Sequence, residues 1–284
     1  MSYKTILVHV DHSRHMVQRV RAASLARNNV NTHIVGVAVT GISRHLRLSE
    51  RVREQGGQST DALQEEVSRL HKSAESALAC FEETARAAGL HSFECRLVAD
   101  EELGGLSLQA QYSDLTVLTQ LDPDEPANAM ADDLPEYVAV YSGRPVLVLP
   151  YGYELAALAA NPCLAWDGSI EATRAVHHAL PLLEQAGKVD ILNLCHGRKQ
   201  PEKNDVAGAD IVRYFAHHEI EANVIQDHYM HGDIGAALLA YCNTAHSDLL
   251  IMGCYGHSRF QEMLRGGATH TVLEKMTIPV LLAH

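Results

Sequence analysis

One pattern occurs twice in this chain. Residues 113–118, Ser-Asp-Leu-Thr-Val-Leu, return as 247–252, Ser-Asp-Leu-Leu-Ile-Met, 134 positions later. The run Arg144-Pro145-Val146-Leu147-Val148-Leu149 returns as Ile278-Pro279-Val280-Leu281-Leu282-Ala283 at the same offset, so nothing was inserted or lost between these landmarks. At the front, Ile6-Leu7-Val8-His9-Val10-Asp11-His12-Ser13 resembles Cys163-Leu164-Ala165-Trp166-Asp167-Gly168-Ser169 at an offset of 156, so the first half carries 22 more residues (156 minus 134). Such a repeat divides the 284 residues into two units of one fold, 1–150 and 151–284.

Each half reads as five short apolar strands alternating with amphipathic stretches. In the second half the strands are expected near 161–166, 188–195, 221–227, 248–252 and 278–283, bounded by Gly, Pro or Asp. The surplus of the first half falls in 44–89, a charged stretch with Ser59-Thr60-Asp61 as a cap and Leu63, Val67 and Leu70 at helical spacing, which predicts an enlarged second helix. Strands that alternate with helices imply right-handed crossovers and parallel sheets covered on both faces. The expected fold class is therefore α/β, two tandem doubly wound, Rossmann-like domains, each with a five-stranded parallel sheet. Ligands of such sheets bind beyond the carboxyl ends of the strands, where strand order reverses, which directs attention to the loops after the first and fourth strands.

Composition narrows the partners. A formal charge of -12 without a Lys/Arg cluster disfavours nucleic acid and anionic membrane surfaces. No apolar run reaches the roughly 18–20 residues of a membrane helix, and the N-terminus lacks the features of a signal peptide, so a cytoplasmic protein is expected. The six cysteines show no CxxC spacing and read as reduced, structural residues.

The chemistry-bearing segment follows the fourth strand of the second half. Gly253-Cys254-Tyr255-Gly256 is followed by nine residues and then Gly266-Gly267-Ala268-Thr269, which opens a helical run through Lys275. Glycines at a strand exit permit a positive φ and a close approach of backbone N–H groups to a ligand, and a helix start offers unpaired N–H groups to an anion. No Gly-Lys-Ser/Thr follows, so this is not a P-loop.

In this segment the chain resembles the universal stress proteins, whose ATP-binding members carry Gly-x2-Gly-x9-Gly-Ser/Thr in a five-stranded α/β domain. Ser247-Asp248-Leu249 and Thr277-Ile278-Pro279-Val280 share the resemblance, which extends over both halves as in a tandem member. It implies binding of ATP or ADP, with Mg²⁺ as a candidate companion. Ala165 and Trp166 would lie beside the base, Asp167 and Ser169 nearby, Met252, Gly253, Tyr255 and Gly256 along the ribose and phosphates, and Gly266, Gly267, Ala268 and Thr269 on the phosphates. Gly267 stands where the family has Ser or Thr, with Thr269 two residues on as a substitute hydroxyl. Asp167 also reads as a helix cap before Ile170, a role that can coexist with ligand contact.

Carried back by 134, Gly253 becomes Thr119, Gly256 becomes Asp122 and Gly266-Gly267 become Asp132-Asp133. With Asp124 these carboxylates would repel phosphate, so the first half is expected to have lost nucleotide binding, and Asp11 reads as a cap before Ser13. His228 and His231, with Asp227 as a third ligand, could converge on a zinc ion, but a loop role is favoured and no metal is expected. No nucleophile elbow, zincin or kinase set is present, so catalytic residues are not assigned. The functional expectation is a stress-response protein in which nucleotide occupancy is a structural or regulatory state; phosphate would order the 253–268 loop and alter the surface offered to a protein partner. A nucleotide-free scaffold and a slow ATPase or self-phosphorylating protein are the alternatives. The terminal strands 145–149 and 278–283 could pair within one chain as a pseudo-dimer, or between chains as a homodimer.

Overall fold

The computed structural model describes residues 2–27, 31–42, 60–124, 133–196, 206–229, 233–255 and 267–284. The first half runs β1 (Thr5–His9), α1 (Met16–Ala26), β2 (His33–Val39), α2 (Thr60–Ala87), β3 (Phe93–Val98), α3 (Glu102–Ala110), β4 (Leu115–Thr119), α4 (Leu134–Ser142) and β5 (Val146–Leu149). The second runs β6 (Pro162–Ala165), α5 (Ile170–Ala186), β7 (Lys188–His196), α6 (Val206–His217), β8 (Glu221–Tyr229), α7 (Ile234–Thr244), β9 (Leu249–Gly253), α8 (Ala268–Lys275) and β10 (Val280–Ala283).

Two separate five-stranded sheets were expected; the strands instead form one ten-stranded sheet in the order β3-β2-β1-β4-β5-β10-β9-β6-β7-β8. Every pairing is parallel except β5 with β10, which is antiparallel. The reason lies in these two strands. Both are buried at every position, and an unpaired edge there would strand backbone donors and acceptors away from water. Leu147 faces Leu281, Val148 faces Val280 and Val146 faces Leu282. Since 147 plus 134 is 281, equivalent residues meet at the centre of the ladder, which makes the contact self-complementary in the manner of a two-fold interface.

Alternate strand residues feed two apolar layers that each cross the seam. Ile6, Val8, Leu147, Leu164, Ile251 and Leu281 pack with residues of α1, α2 and α5 on one face. Leu7, Val35, Val146, Val148, Leu250 and Leu282 pack with α3, α4, α7 and α8 on the other. The enlarged helix is α2, 28 residues long. Its buried stripe is Ala74, Leu78, Phe81 and Ala85, at helical spacing, whereas Val67 and Leu70, nearer its start, are only half-buried. Ser59 lies outside the described residues.

Candidate nucleotide site

In the second half strand order reverses between β6 and β9, and a cavity of about 390 Å³ opens there. Ala165, Trp166 and Asp167 reach it from the end of β6, Met252, Gly253 and Tyr255 from the end of β9, and Ser169 from the start of α5. Gly267, Ala268 and Thr269, the first turn of α8, close the opposite side. Ten residues singled out in the sequence thus surround one space, while Gly256 and Gly266 lie outside the described residues. Glu171, Ala172, Leu192, Ile234 and Leu238 complete the lining and were missed. They come from β7 and from helices α5 and α7, beyond the loops after the first and fourth strands to which strand order points. Asp233 before the apolar run 234–242 is the signal that would have placed a helix start there.

The local chemistry at β6 is a turn that leads into a helix. Gly168 takes φ +76°, Asp167 Oδ1 accepts the Ser169 N–H at 2.9 Å, and Ser169 Oγ accepts the Ala172 N–H at 3.1 Å. Ser169 is therefore the cap of α5, and Asp167, expected as the cap, stands one step earlier, braces the turn and remains exposed. The Trp166 indole N–H is buried without a hydrogen-bond partner.

Neither lining glycine has the positive φ expected of a strand-exit turn. A Cβ on Gly253 would lie 2.6 Å from the Ala172 nitrogen and 2.7 Å from Glu171 backbone and side-chain atoms, so glycine is required for the end of β9 to pass the first turn of α5. Positive φ falls on Tyr255 instead, at 58°, a conformation that costs a non-glycine residue about 1 kcal/mol. Burial raises its phenol pKa, with Glu136 adding to the effect. Gly267 is extended, with φ -160°, and a Cβ there would meet nothing within 4 Å. It caps α8 without a side-chain hydrogen bond, so the helix N-terminus faces the cavity without a side-chain cap.

The first turn of α8 is fixed from α7. Asp233 accepts the Gly235 N–H at 2.7 Å through Oδ1 and the Thr271 hydroxyl through Oδ2. Gly235 lets the two helices touch, since a Cβ there would stand 2.6 Å from the Ala268 carbonyl oxygen.

The equivalent crevice of the first half is filled from within. Asp11 repeats the turn, accepting the Ser13 N–H at 3.0 Å and its hydroxyl at 2.7 Å, but α1 begins only at Met16, so Asp11 is not its cap. The buried Arg19 guanidinium lies between the ends of β1 and β4, donating to Asp11, to Ser13 Oγ at 3.1 Å and to Thr119 Oγ1 at 3.2 Å. Burial works against ionisation of Asp11, yet Arg19, His9 and the Ser13 hydroxyl hold its carboxyl below the usual range. Asp122, expected to repel phosphate, is buried and turned inward, with Arg14 Nη2 at 2.6 Å and His15 Nε2 at 2.7 Å. Burial is again outweighed, here by the Asp124 N–H, His15 and Arg14, and the carboxyl sits at about 2. Asp132 lies outside the described residues. An internal guanidinium, rather than bare carboxylates, thus occupies this crevice.

Among the described residues no group of three or more His, Cys, Asp or Glu side chains is placed to hold a metal ion, and His231 lies outside them. Among the same residues no helix is long and apolar enough to cross a membrane. Cys163, Cys242 and Cys254 are buried free thiols, whereas Cys80 and Cys95, also free, are exposed.

Residues 163–284 match the model of the universal stress protein family. The fold is similar over its whole length to a universal stress protein from Archaeoglobus fulgidus, with TM-score 0.74 and 16% identity over 98% of this chain and 95% of that one. A universal stress protein described as putative in Pseudomonas aeruginosa aligns with TM-score 0.58 and 14% identity over 99% and 93% of the two chains. No curated protein matches. Residues 163–284 thus carry the sequence pattern of the universal stress protein family, and the whole chain is similar in fold to solved structures of that family.

Proposed function

We propose that the chain binds one adenine nucleotide, ATP or ADP, in the cavity between the ends of β6 and β9. The observation that carries this reading is the α8 N-terminus, without a side-chain cap and open to a cavity at the switch point of the sheet. Backbone N–H groups of Gly267, Ala268 and Thr269 would take the phosphates. Trp166, with Ala165, Leu238 and Met252, offers apolar surface to a flat base, and Ile234, 43% exposed at the rim, gains cover when a base is present. Asp167 and Glu171 are the carboxylates that would hold a hydrated Mg²⁺ accompanying the phosphates. Binding, not turnover, is the activity proposed, because backbone amides hold phosphate without the charge that phosphoryl transfer requires.

The first half takes no nucleotide in this reading, since Arg19 fills its crevice. Residues 1–150 and 151–284 are then a ligand-free unit and a ligand-binding unit of one fold.

Trp166 is the chain's single tryptophan, so its fluorescence reports on this cavity alone. Purified protein is to be denatured and its supernatant analysed for nucleotide by mass spectrometry, and stripped protein titrated with ATP and ADP while Trp166 emission is followed. Released ATP or ADP with a saturable change in emission is the expected result. No released nucleotide and a flat titration would overturn the reading and leave a scaffold without nucleotide.

A further inference from the structure

We infer that Gln120 is a positioning residue through which the first half holds α8, and so sets the affinity of the second half's cavity; this rests on the nucleotide reading above. Gln120 directly follows β4, and its backbone N–H donates to the Leu149 carbonyl at 2.8 Å. Its buried side chain crosses the seam. Nε2 donates to the Leu273 carbonyl at 2.7 Å and to the Glu274 carbonyl at 2.9 Å, while Oε1 accepts the Tyr151 N–H at 3.4 Å. Both carbonyls belong to the last turn of α8, where a helix leaves its C=O groups without intrahelical partners.

The two halves differ at this point. Helix α4 ends on Gly143 in the left-handed conformation, a local terminator. The equivalent position after α8 is Thr277, and α8 ends on Met276 in extended backbone. What Gly143 does within its own half is done for α8 by a side chain from the other half. The reverse contact has no counterpart, since 120 plus 134 is Cys254, which cannot reach out as an amide donor.

An eight-residue helix is about 12 Å long, so a tilt at Glu274 is felt at Gly267. Its N-terminal turn lines the candidate nucleotide cavity and its C-terminal turn is held by Gln120. The half that carries no ligand therefore braces the helix that receives one.

The test uses the full chain with Gln120→Leu, which keeps the bulk and removes the donor, and Gln120→Glu, which donates only when protonated. Without nucleotide, hydrogen exchange of amides in 268–275 is expected to be faster in Gln120→Leu than in the wild type; equal exchange overturns the brace. With ATP, Trp166 titrations at pH 8 are expected to give both variants a Kd roughly three- to ten-fold higher than the wild type. The Glu variant is expected to recover toward wild type at acidic pH while the Leu variant does not. Asp133, Glu136, Tyr151, His270 and Glu274 line the same seam, so the profile is read as the ratio of variant to wild type at each pH. Equal affinities in a wild type that binds ATP overturn the inference. A wild type that ignores ATP, with faster α8 exchange in the variant, refutes the nucleotide reading and leaves the brace standing. Should the variants fail to fold, exchange in the wild type decides: ATP is expected to slow amides of 118–121 and 146–151, and unchanged exchange there overturns the coupling.

Discussion

Two lining glycines have opposite reasons to be glycine. At Gly253 a methyl group would collide with backbone and side chain of the α5 start, atoms that cannot rotate away, so Gly253→Ala is expected to cost about 1–3 kcal/mol as overpacking. Chemical denaturation should show this as a lower midpoint with unchanged slope. At Gly267 nothing opposes a side chain and the backbone is extended, so Gly267→Ser should be accepted without loss of stability. It would add a cap to α8 and a hydroxyl beside the phosphates, and ATP is expected to bind several-fold tighter by Trp166 titration. Unchanged or weaker binding would argue against phosphate at this helix end. The identity of these residues was legible from spacing; their reasons were not, because a close approach of β9 to α5 depends on contacts between segments 82 positions apart. Arg19 was likewise invisible as the occupant of the first crevice. In the sequence it is one more polar residue in a helix, and only the fold brings it between Asp11 and Thr119.

At the scale of elements, α4 and α8 meet across the seam around a cavity of about 350 Å³ lined by Asp133, Glu136, His270 and Glu274. Burial, reinforced by Asp133 and opposed by His270, raises the Glu136 carboxyl to about 7. Its ordinary value is 4.5, so the folded state holds this proton more tightly than the unfolded one. The resulting contribution to stability is fully present below about 4.5 and is lost as pH rises toward 7. Glu136→Gln should therefore match the wild type in unfolding free energy at pH 4 and exceed it at pH 8, by on the order of 2 kcal/mol, as chemical denaturation at the two pH values would show. A difference that is constant with pH would contradict this environment for Glu136. The helical spacing of Leu63, Val67 and Leu70 located α2, but Val67 and Leu70 are only half-buried and the buried stripe runs along Ala74, Leu78, Phe81 and Ala85. Spacing identifies a face; what covers the face is decided by the length of its neighbours.

At the scale of the molecule, the 134-residue offset is the feature from which most of the architecture was readable. It matched the fourth and fifth strands of the two halves, and the central pair of the antiparallel ladder, Leu147 with Leu281, is related by that same offset. It could not reveal that two sheets would become one, since joining depends on whether β5 and β10 meet each other or a second chain. Nor could it show how the halves divide their labour. One half keeps an open crevice and the other closes its own with Arg19, while Gln120 carries a contact from the closed half to the open one. The function proposed above therefore predicts a count: one nucleotide per chain, although the fold offers two equivalent crevices. Calorimetric titration of stripped, full-length protein with ATP tests this most directly. Heat is expected to saturate at one ATP per chain, in parallel with Trp166 emission. Saturation at two per chain would mean that Arg19 does not close the first crevice, and the absence of heat would mean that the cavity beside α8 is not a nucleotide site.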